Sequence, residues 1–228
     1  MHRDSSEFDV EAWGAPIDPV LLTQALTHRS WAFEHGDAHN ERLEFLGDSI
    51  LGGVVARRIY LDFARSDEGK MSKIKAASVS ERSLAQVARR LHIGDFVRLG
   101  KGEERSGGRA KESILSDTVE ALIAATYLSS DINVVKDVIE RHLLVQIDAA
   151  SKMGPALDWR TALEELARAK SIKAEISYEI IGTGPDHARS YEAHVFLGGV
   201  EYGVGNASSQ KMAKLAACEN AYHAISER

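Results

Sequence analysis

The hydrophobic periodicity of this sequence changes once, near residue 150, and that change constrains the fold more than any other feature. From residue 18 to about 147, apolar residues recur at the 3.6-residue spacing of amphipathic helices, with almost no β-alternation. Residues 149–156 (AASKMGPA) break the pattern with a glycine and a proline. We therefore expect a helical domain over 1–148, a linker over 149–156 and a second domain over 157–228.

The second domain shows the alternation of half-buried strands between two helical patterns. Helices are predicted over about 158–169 and 208–226. Between them, apolar and polar residues alternate around 176–180, 191–195 and 200–204. The predicted fold class is an all-α domain followed by a small α+β domain of order α-β-β-β-α.

The composition places the chain among ordinary globular proteins. With 44% hydrophobic and 27% charged residues in 228, it is neither disordered nor fibrous. No run approaches 18 apolar residues and the acidic first fifteen contain no apolar h-region, so neither a membrane span nor a secretory signal is expected. The single Cys218 excludes an internal disulfide and favours a cytoplasmic location, and we expect it to be an inert buried thiol.

The charge distribution is uneven. The chain carries 28 Lys+Arg against 34 Asp+Glu, a net charge of −6. Between Lys70 and Lys111, however, eleven basic residues face only four acids, a local excess of seven. This segment is either a solvated helix face or a phosphate-binding surface.

Carboxylates recur along one predicted helix at a spacing that places them on one side. Asn40 is expected to cap the helix, and Glu41, Glu44 and Asp48 follow at i, i+3 and i+7, within a 60° arc of a helix with 100° per residue. The helix dipole accounts for acids in the first turn. It does not account for Asp48, which is two turns into the helix among apolar residues.

A second helix repeats the pattern and suggests a metal site. Asp117 and Glu120 are i, i+3 neighbours in an apolar stretch, where like charges repel each other unless a cation lies between them. If the two helices pack together, four or five carboxylates converge. Oxygen ligands without His or Cys favour Mg²⁺ or Mn²⁺, the ions used in phosphodiester hydrolysis. A purely structural acidic cluster is the alternative, whereas a di-iron site is disfavoured because no Glu-x-x-His pair occurs.

Two weaker patterns are interpreted as structural. His35 and His39 have the i, i+4 spacing of zinc ligands, but no third ligand is evident and Gly36 lies between them, which favours a loop or N-cap-flanking role. The stretch SGGR at 106–109 lacks the spacing and the Lys-Ser/Thr ending of a P-loop, and we interpret it as a turn.

At residues 39–51 (HNERLEFLGDSIL) the sequence resembles the signature of the bacterial ribonuclease III family. Four further stretches of the family pattern occur in order along the chain: LTHRS at 26–30, DEGKMSKIKA at 67–76, LGKGEERSGG at 99–108 and ESILSDTVEALIAA at 112–125. The C-terminal piece is similar to a double-stranded RNA-binding domain, with DWRTALEEL at 158–166 and GPDHAR at 184–189. The resemblance covers nearly all of residues 18–224.

This resemblance implies an endonuclease that dimerises and cleaves both strands of duplex RNA. Its expected products carry 5′-phosphates, 3′-hydroxyls and short 3′ overhangs, and its expected substrates are ribosomal and messenger RNA precursors. By position, Glu44, Asp117 and Glu120 match magnesium ligands, with Mn²⁺ as a possible substitute. Asp48 matches the acid beside the catalytic water, with Glu120 shared between both roles.

The remaining family positions are acidic and dimer residues of the nuclease domain. Glu41 and Glu68 match acids near the valley between subunits. Phe45 matches an aromatic residue that inserts into the partner subunit, and a plain core phenylalanine is the alternative.

In the small domain the resemblance implies RNA contacts from three elements. The expected contact residues are Thr161 and Glu164 on the first helix, Pro185 and His187 in a loop, and Ser209, Lys211 and Lys214 at the start of the last helix. Duplex RNA is recognised largely by shape, 2′-hydroxyls and phosphates. Gln210 stands where the family usually has a second lysine, so modest affinity is expected from this domain alone.

Two function classes stay open. The leading one is a Mg²⁺-dependent double-strand-specific endoribonuclease, and the alternative is a non-catalytic duplex-RNA-binding protein on the same fold. Four acids at apolar helix positions favour the enzyme, because they destabilise a fold that does not use them. A small-molecule metalloenzyme would not explain the appended RNA-binding piece.

Overall fold

The computed structural model describes residues 3–153, 158–185 and 189–227, and the chain divides into two compact units, Met1–Lys152 and Met153–Arg228. The first unit is helical. Its helices are α1 (Val10–Trp13), α2 (Pro19–Ala25), α3 (Arg29–His35), α4 (Glu41–Asp62), α5 (Glu68–Ser78), α6 (Glu81–Arg90), α7 (Lys101–Arg105), α8 (Glu112–Ser129) and α9 (Ile132–Lys152). Short 3₁₀ turns cover Ser5–Glu7, Ile93–Asp95 and Gly108–Ala110.

Helix α8 forms the centre of this unit. Its run from Val119 to Thr126 is buried except for the half-buried Glu120, and helices α2, α4, α6 and α9 pack around it. A helix that is apolar on nearly all sides belongs in a core rather than on a surface. Any carboxylate on α8 is therefore held close to apolar surroundings.

Helix α4 buries only a narrow stripe. Its buried residues recur every fourth position, at Leu43, Gly47, Leu51, Val55 and Ile59. Residues between those positions face solvent or lie at the edge of the contact with α8. The stripe decides which of the helix's acids approach α8.

Asn40 precedes α4, but the predicted cap is wrong in its mechanism. The side chain makes no capping hydrogen bond, the backbone is already helical (φ −81°, ψ −14°), and the residue is 2% exposed. Its N–H donates to the Thr27 carbonyl at 2.9 Å. Asn40 is thus a buried residue whose backbone connects the start of α4 to the segment before α3 by a hydrogen bond.

The small unit contains α10 (Trp159–Ala169), β1 (Ile176–Thr183), β2 (Ser190–Leu197), β3 (Val200–Ala207) and α11 (Gln210–Ser226). The strands form an antiparallel sheet in the order β1-β2-β3. Tyr178, Val195 and Gly203 lie in register across it, on the face that α10 and α11 cover. The predicted fold classes of both domains are confirmed.

Two predicted boundaries differ from the structure. Residues 149–152, assigned to the linker, continue α9, because this Ala-Ala-Ser-Lys stretch is compatible with a helix and Ala150 is buried. Of the rest of that linker, residues 154–156 lie outside the described residues. The last helix begins at Gln210 rather than near Ser208, because the Ser209 hydroxyl caps it by accepting the Met212 N–H at 3.3 Å.

Two further sequence expectations concern the surface and the thiol. Across the described ranges, no helix combines the length and apolarity that a membrane crossing requires. Cys218 is buried, its Sγ lies 3.2 Å from the Tyr178 hydroxyl, and burial raises the pKa of the thiol. These properties are those of an inert thiol.

Candidate active site

Helices α4 and α8 touch backbone to backbone at Gly47. A Cβ atom at this position would lie 1.8 Å from the Glu120 carbonyl oxygen, so only glycine permits the contact. Glu44 lies one turn before Gly47 on α4, and Asp48 follows it directly. The contact therefore brings acids of α4 beside Asp117 and Glu120 of α8.

Three of these acids form a compact cluster. Carboxylate oxygens of Glu44, Asp117 and Glu120 all lie within 4.8 Å of one another, and all three residues are half-buried. Asp117 accepts a hydrogen bond from the Ser116 hydroxyl at 3.2 Å. Within the described part of the chain, no basic side chain forms an ion pair with any of the three. The cluster has the donor chemistry and the spacing to hold a hard divalent cation.

The protonation of the cluster reflects its crowding. Burial, followed by the charges of Asp48, Asp117 and Glu44, raises the pKa of Glu120 to about 8. Burial is also the main cause that raises the pKa values of Glu44 and Asp117. Without a cation, Glu120 is mostly protonated at neutral pH. A divalent cation would favour the ionised form of all three carboxyls.

Asp48 and Glu41 border the cluster without joining its closest group. Asp48 is exposed, so its expected position among apolar residues is wrong; it lies outside the buried stripe of α4. Its charge still acts on Glu120 and Glu44. Glu41 is also exposed, and its carboxylate lies 3.4 Å from Arg29.

Glu68 is the one predicted acid that is not placed near the cluster. It is the first residue of α5, is exposed and accepts a hydrogen bond from the Ser72 hydroxyl at 2.7 Å. It lines a separate groove with Tyr60 and Met71. No electrostatic effect of Glu68 on the cluster is observed among the described residues.

A polar cavity of about 420 Å³ adjoins the cluster. Acidic side chains and hydrogen-bond donors line this cavity together. The acids are Glu41, Glu44, Glu103 and Asp117, and the donors are His28, Arg29 and Lys111. An RNA backbone needs such donors to approach a carboxylate cluster, because its phosphates would otherwise meet only negative charge.

The basic segment between Lys70 and Lys111 is partly neutralised within the fold. Several of its bases are engaged by the protein itself: Arg109 with Glu104, Lys111 with Glu103, Arg89 with Glu112, Arg98 with Asp37, and Arg90 with the His142 carbonyl. Lys70, Arg82, Lys101 and Arg105 are exposed. The segment is therefore part scaffold and part exposed positive surface, so neither prediction describes all of it.

Neither histidine of the predicted zinc alternative lies in a metal-binding group of the described chain, where the acidic cluster alone has that geometry. His35 stacks on Trp31 with ring centroids 3.8 Å apart and bonds to its carbonyl. His39 lies 3.6 Å from the Glu41 carboxylate. His35 is the last residue of α3 rather than a loop residue, whereas His39 lies in the loop before α4 as expected.

Comparison with known proteins identifies the family. A family described as Ribonuclease-III-like matches residues 18–147, the range that contains the whole acidic cluster. The chain belongs to the ribonuclease III family. The double-stranded RNA binding motif matches residues 159–225. This ribonuclease III-family chain is thus an endoribonuclease of double-stranded RNA, with duplex RNA as its partner.

Full-length relatives agree with this assignment. Ribonuclease 3 of Thermobifida fusca is 46% identical over 216 residues, which cover 94% of this chain and 90% of the relative. Ribonuclease 3 of Streptomyces coelicolor is 44% identical over 213 residues, which cover 93% of this chain and 77% of the relative.

Solved structures resemble the nuclease unit. The nuclease domain of ribonuclease III from Campylobacter jejuni is 39% identical, with a TM-score of 0.54, over 61% of this chain and 90% of that domain. A second structure of the same domain, with the same identity and TM-score, covers 60% of this chain and 99% of that one. It describes structural flexibility in a region involved in dimer formation.

The small unit of this ribonuclease III-family chain brings together the starts of its two helices. Lys211 and Lys214 of α11 line a cavity of about 550 Å³ with Asp158 and Arg160 at the start of α10 and Tyr178 of β1. Lys211 is exposed, and the Lys214 ammonium lies 5.2 Å from the centroid of the Tyr178 ring. A cation over an aromatic face keeps its charge while its stem is ordered.

The other predicted RNA contacts of this ribonuclease III-family chain have local structural roles. The Thr161 hydroxyl donates to the Asp158 carboxylate at 2.6 Å, and Glu164 pairs with Arg160 at 3.3 Å. Ser209 caps α11, Pro185 lies beyond the end of β1, and His187 lies outside the described residues.

Sequence reasoning missed three residues of these sites: Gly47, His28 and Tyr178. A glycine inside a 22-residue helix was the available signal for Gly47, because glycine costs about 1 kcal/mol there relative to alanine and needs a packing reason. Tyr178 was recognised only as a strand residue, and His28 only as part of LTHRS.

Proposed function

We propose that this chain hydrolyses the phosphodiester backbone of RNA duplexes at the cluster of Glu44, Asp117 and Glu120, with Mg²⁺ as its cofactor and Mn²⁺ as a possible substitute. The observation that carries the proposal is the approach of three carboxylates within 4.8 Å on two packed helices. Such a group is unfavourable without a cation, as the raised pKa of Glu120 indicates.

The residues present fit a hard divalent cation. Every donor of the cluster is a carboxylate oxygen, which suits Mg²⁺ better than a softer metal. A bound cation of this kind lowers the pKa of water and neutralises charge on phosphoryl oxygens.

The chain's own residues then hold the reactants. In this proposal Asp48, an exposed acid whose charge acts on Glu120, accepts a hydrogen bond from the attacking water and keeps a lone pair of that water aimed at phosphorus. Glu120 lies within 4.8 Å of the other two ligands and the charge of Asp48 also acts on it, which suits a residue shared by both roles. Breaking the bond from phosphorus to the 3′-oxygen gives a 5′-phosphate and a 3′-hydroxyl.

The enzyme is tested with a labelled perfect RNA duplex and Mg²⁺, alongside single-stranded RNA of the same sequence and an EDTA control. Glu120→Gln keeps the shape of the side chain and removes its charge, so cleavage is expected to be lost while duplex binding persists. Glu81→Gln, an exposed glutamate in the first turn of α6, is the matched control.

The outcomes separate the two function classes. Metal-dependent cuts in the duplex alone, lost in Glu120→Gln and retained in Glu81→Gln, support the proposal. Binding without cleavage at any divalent ion would assign the carboxylates a structural role and favour the non-catalytic duplex-RNA-binding protein.

We also propose that two copies form a homodimer through the nuclease unit. Phe45 projects from α4 with 78% of its surface exposed, which excludes a plain core phenylalanine and suits insertion into a partner. Light scattering of Phe45→Glu is expected to report a monomer. Phe33→Glu, at an even more exposed aromatic on α3 (93% exposed), should stay dimeric. A dimer in both variants would contradict this role of Phe45.

Two further expectations belong to this proposal. The cleaved RNAs are ribosomal and messenger RNA precursors, and the site of action is the cytoplasm. Sequencing of the 5′-phosphorylated ends that disappear when the chain is depleted from its own cells would test the first expectation.

A further inference from the structure

Two family-like stretches, LTHRS at 26–30 and LGKGEERSGG at 99–108, have no role in the mechanism above, yet they are joined to each other. The Arg98 N–H donates to the Leu26 carbonyl at 2.8 Å, and the His28 N–H donates to the Arg98 carbonyl at 3.1 Å. The Gly100 N–H donates to the Ser30 hydroxyl at 2.9 Å. A Cβ at Gly100 would lie 2.5 Å from the Ser30 carbonyl oxygen, so the two segments meet without room for a side chain there.

This junction fixes the orientation and the tautomer of His28. The ring is the N-cap of α3, and its Nδ1 accepts the Ser30 N–H at 3.2 Å. Because a backbone N–H can only donate, Nδ1 carries no proton and the neutral ring carries its proton on Nε2. The Ser30 hydroxyl, 2.8 Å from the same Nδ1, therefore donates to it and accepts from the Gly100 N–H.

His28 also lines the cavity beside the acidic cluster, together with Glu44 and Asp117, and it is half-buried. Within the described residues, Nε2 has no hydrogen-bond partner. A hydrogen-bond donor whose direction is fixed, and which has no protein partner beside a catalytic cluster, is suited to bind an atom of a ligand.

The charges around His28 favour a neutral donor. Glu103, Asp117 and Glu41 act to raise its pKa and Arg29 to lower it, but burial is the largest cause and the pKa lies below its usual value. Because a neutral imidazole carries no charge, it does not compete with a metal cation for the carboxylates. Its N–H group can still donate a hydrogen bond to an anionic oxygen.

We propose that His28 is a substrate-binding residue of the nuclease site, whose Nε2–H donates a hydrogen bond to a phosphate oxygen of the cleaved strand. This inference rests on the proposed function, because it places the RNA backbone in the cavity next to Glu44 and Asp117. The junction of residues 26–30 with 98–100 is then the scaffold that aims the donor.

Substitution can separate the two roles of the His28 ring, which are the capping acceptor Nδ1 and the donor Nε2–H. The shorter asparagine side chain would not reach the cavity but keeps a capping acceptor, so His28→Asn should fold with an unchanged thermal midpoint. Losing a hydrogen bond to a charged oxygen should slow single-turnover cleavage of a subsaturating RNA duplex by roughly 10- to 100-fold. His28→Gln supplies an amide N–H near the position of Nε2 and should recover part of this loss.

The control is His92→Asn, because His92 is exposed, makes no side-chain capping bond and has a left-handed backbone (φ 54°) that asparagine tolerates. It should cleave like the wild type.

The contact itself is tested with duplexes that carry a single uncharged methylphosphonate linkage, moved one position at a time along the cleaved strand. With wild-type protein, one linkage near the cut should show a loss in cleavage rate that is absent in His28→Asn. Duplex binding measured in EDTA does not depend on catalysis. There too, the same linkage should weaken binding by the wild-type protein and not by His28→Asn.

Two results would overturn the inference: cleavage by His28→Asn within twofold of the wild type, or losses that add independently at every linkage. Failure of wild-type protein to cut the unmodified duplex would instead contradict the proposed function. If His28→Asn fails to fold, His28→Ser takes its place in the linkage series, because serine keeps a capping oxygen and is too short to reach the cavity.

Discussion

Helix α4 against α8 in the nuclease unit and strand β3 against α11 in the small unit are both glycine contacts, but they hold different neighbours. Gly47 lies against the Glu120 carbonyl, as described above, with the acid Asp48 next to it and the acid Glu44 one turn before it. On β3, a Cβ at Gly205 would lie 2.2 Å from the Ala217 nitrogen, and the buried residues of α11 there are alanines. The first contact gathers charge, whereas the second buries only small apolar groups.

This difference separates a contact made for chemistry from one made for stability. Close approach strengthens dispersion in both cases. Around Gly47 it also places half-buried carboxyls together, which disfavours the metal-free fold. At Gly203 and Gly205 the close approach brings the backbone of α11 against β3 at alanine residues, so the gain in dispersion energy comes without gathering charged groups. The two glycines therefore predict different losses on substitution, and the following four experiments test this in order of expected effect.

Gly47→Ala should have the largest effect. The added methyl group must separate α4 from the α8 backbone, and shifts of about 1 Å in a catalytic group cost about 100-fold in rate. We expect at least that loss in single-turnover cleavage and a destabilisation of roughly 1–3 kcal/mol in thermal unfolding. Gly53→Ala on the same helix is the control, because nothing lies within 4 Å of its Cβ position. Normal cleavage by Gly47→Ala would show that the helices need not touch.

Gly205→Ala should affect the small unit instead. Its Cβ would meet the backbone of α11, so we expect a destabilisation of roughly 1–3 kcal/mol and weaker duplex binding. Stabilisation of the nuclease unit by Mg²⁺ should be unchanged, because that site is built from α4 and α8. Gly182→Ala on β1, where the nearest atom of the Tyr191 ring is 3.4 Å away, is the control. A loss of Mg²⁺-dependent stabilisation would contradict the separation of the two contacts.

The acidic cluster should make metal-free stability depend on pH. The pKa of Glu120 is about 8 in the folded chain against 4.5 for an ordinary glutamate. The folded state thus binds this proton more tightly, so stability present below pH 4.5 is lost as the pH rises through 8. We expect a loss on the order of 2 kcal/mol, allowing for partial solvent exposure.

Urea unfolding of the nuclease unit in EDTA between pH 5 and 9 measures this loss. Glu120→Gln should flatten the profile, and so should saturating Mg²⁺ with the wild type. Equal slopes for wild type and Glu120→Gln would show that another group titrates.

Lys211→Ala should have the smallest effect. An exposed lysine that contacts phosphate contributes similarly on every sequence, so affinity should fall roughly 3- to 10-fold for all duplexes, with the salt slope reduced by about one. Lys170→Ala, at the end of α10, is the control. A loss confined to certain duplex sequences would indicate contacts with base edges.

Local features of the fold were predictable from the sequence, because local sequence decides them. The alternation around 176–180 specifies β1, and the helix expected from about residue 158 begins at Trp159, capped by the Asp158 side chain. The orientation of α4 was less accessible. A stripe that repeats every fourth residue can run through Leu43 or through a neighbouring row, and contact with α8 decides which. That choice exposes Phe45 and Asp48.

The acidic residues of the site were predictable from the sequence, whereas the contacts that bring them together were not. Spacing placed Glu44 and Asp117 on faces of two helices, but their meeting depends on Gly47. Counting charges between Lys70 and Lys111 also overestimated the free positive surface. Acids outside that segment, such as Asp37 and Glu112, pair with its arginines, and only the tertiary structure shows this.

The distance between the two halves of the metal site along the chain has a consequence for biosynthesis. Glu44 and Asp117 are 73 residues apart (117 − 44). At 5–20 residues per second, roughly 4 to 15 s separate their synthesis. During that interval α4 has its apolar stripe and its glycine but no α8 to receive them. The active site therefore assembles as one late event, and a cation can stabilise the finished nuclease unit without guiding its early folding.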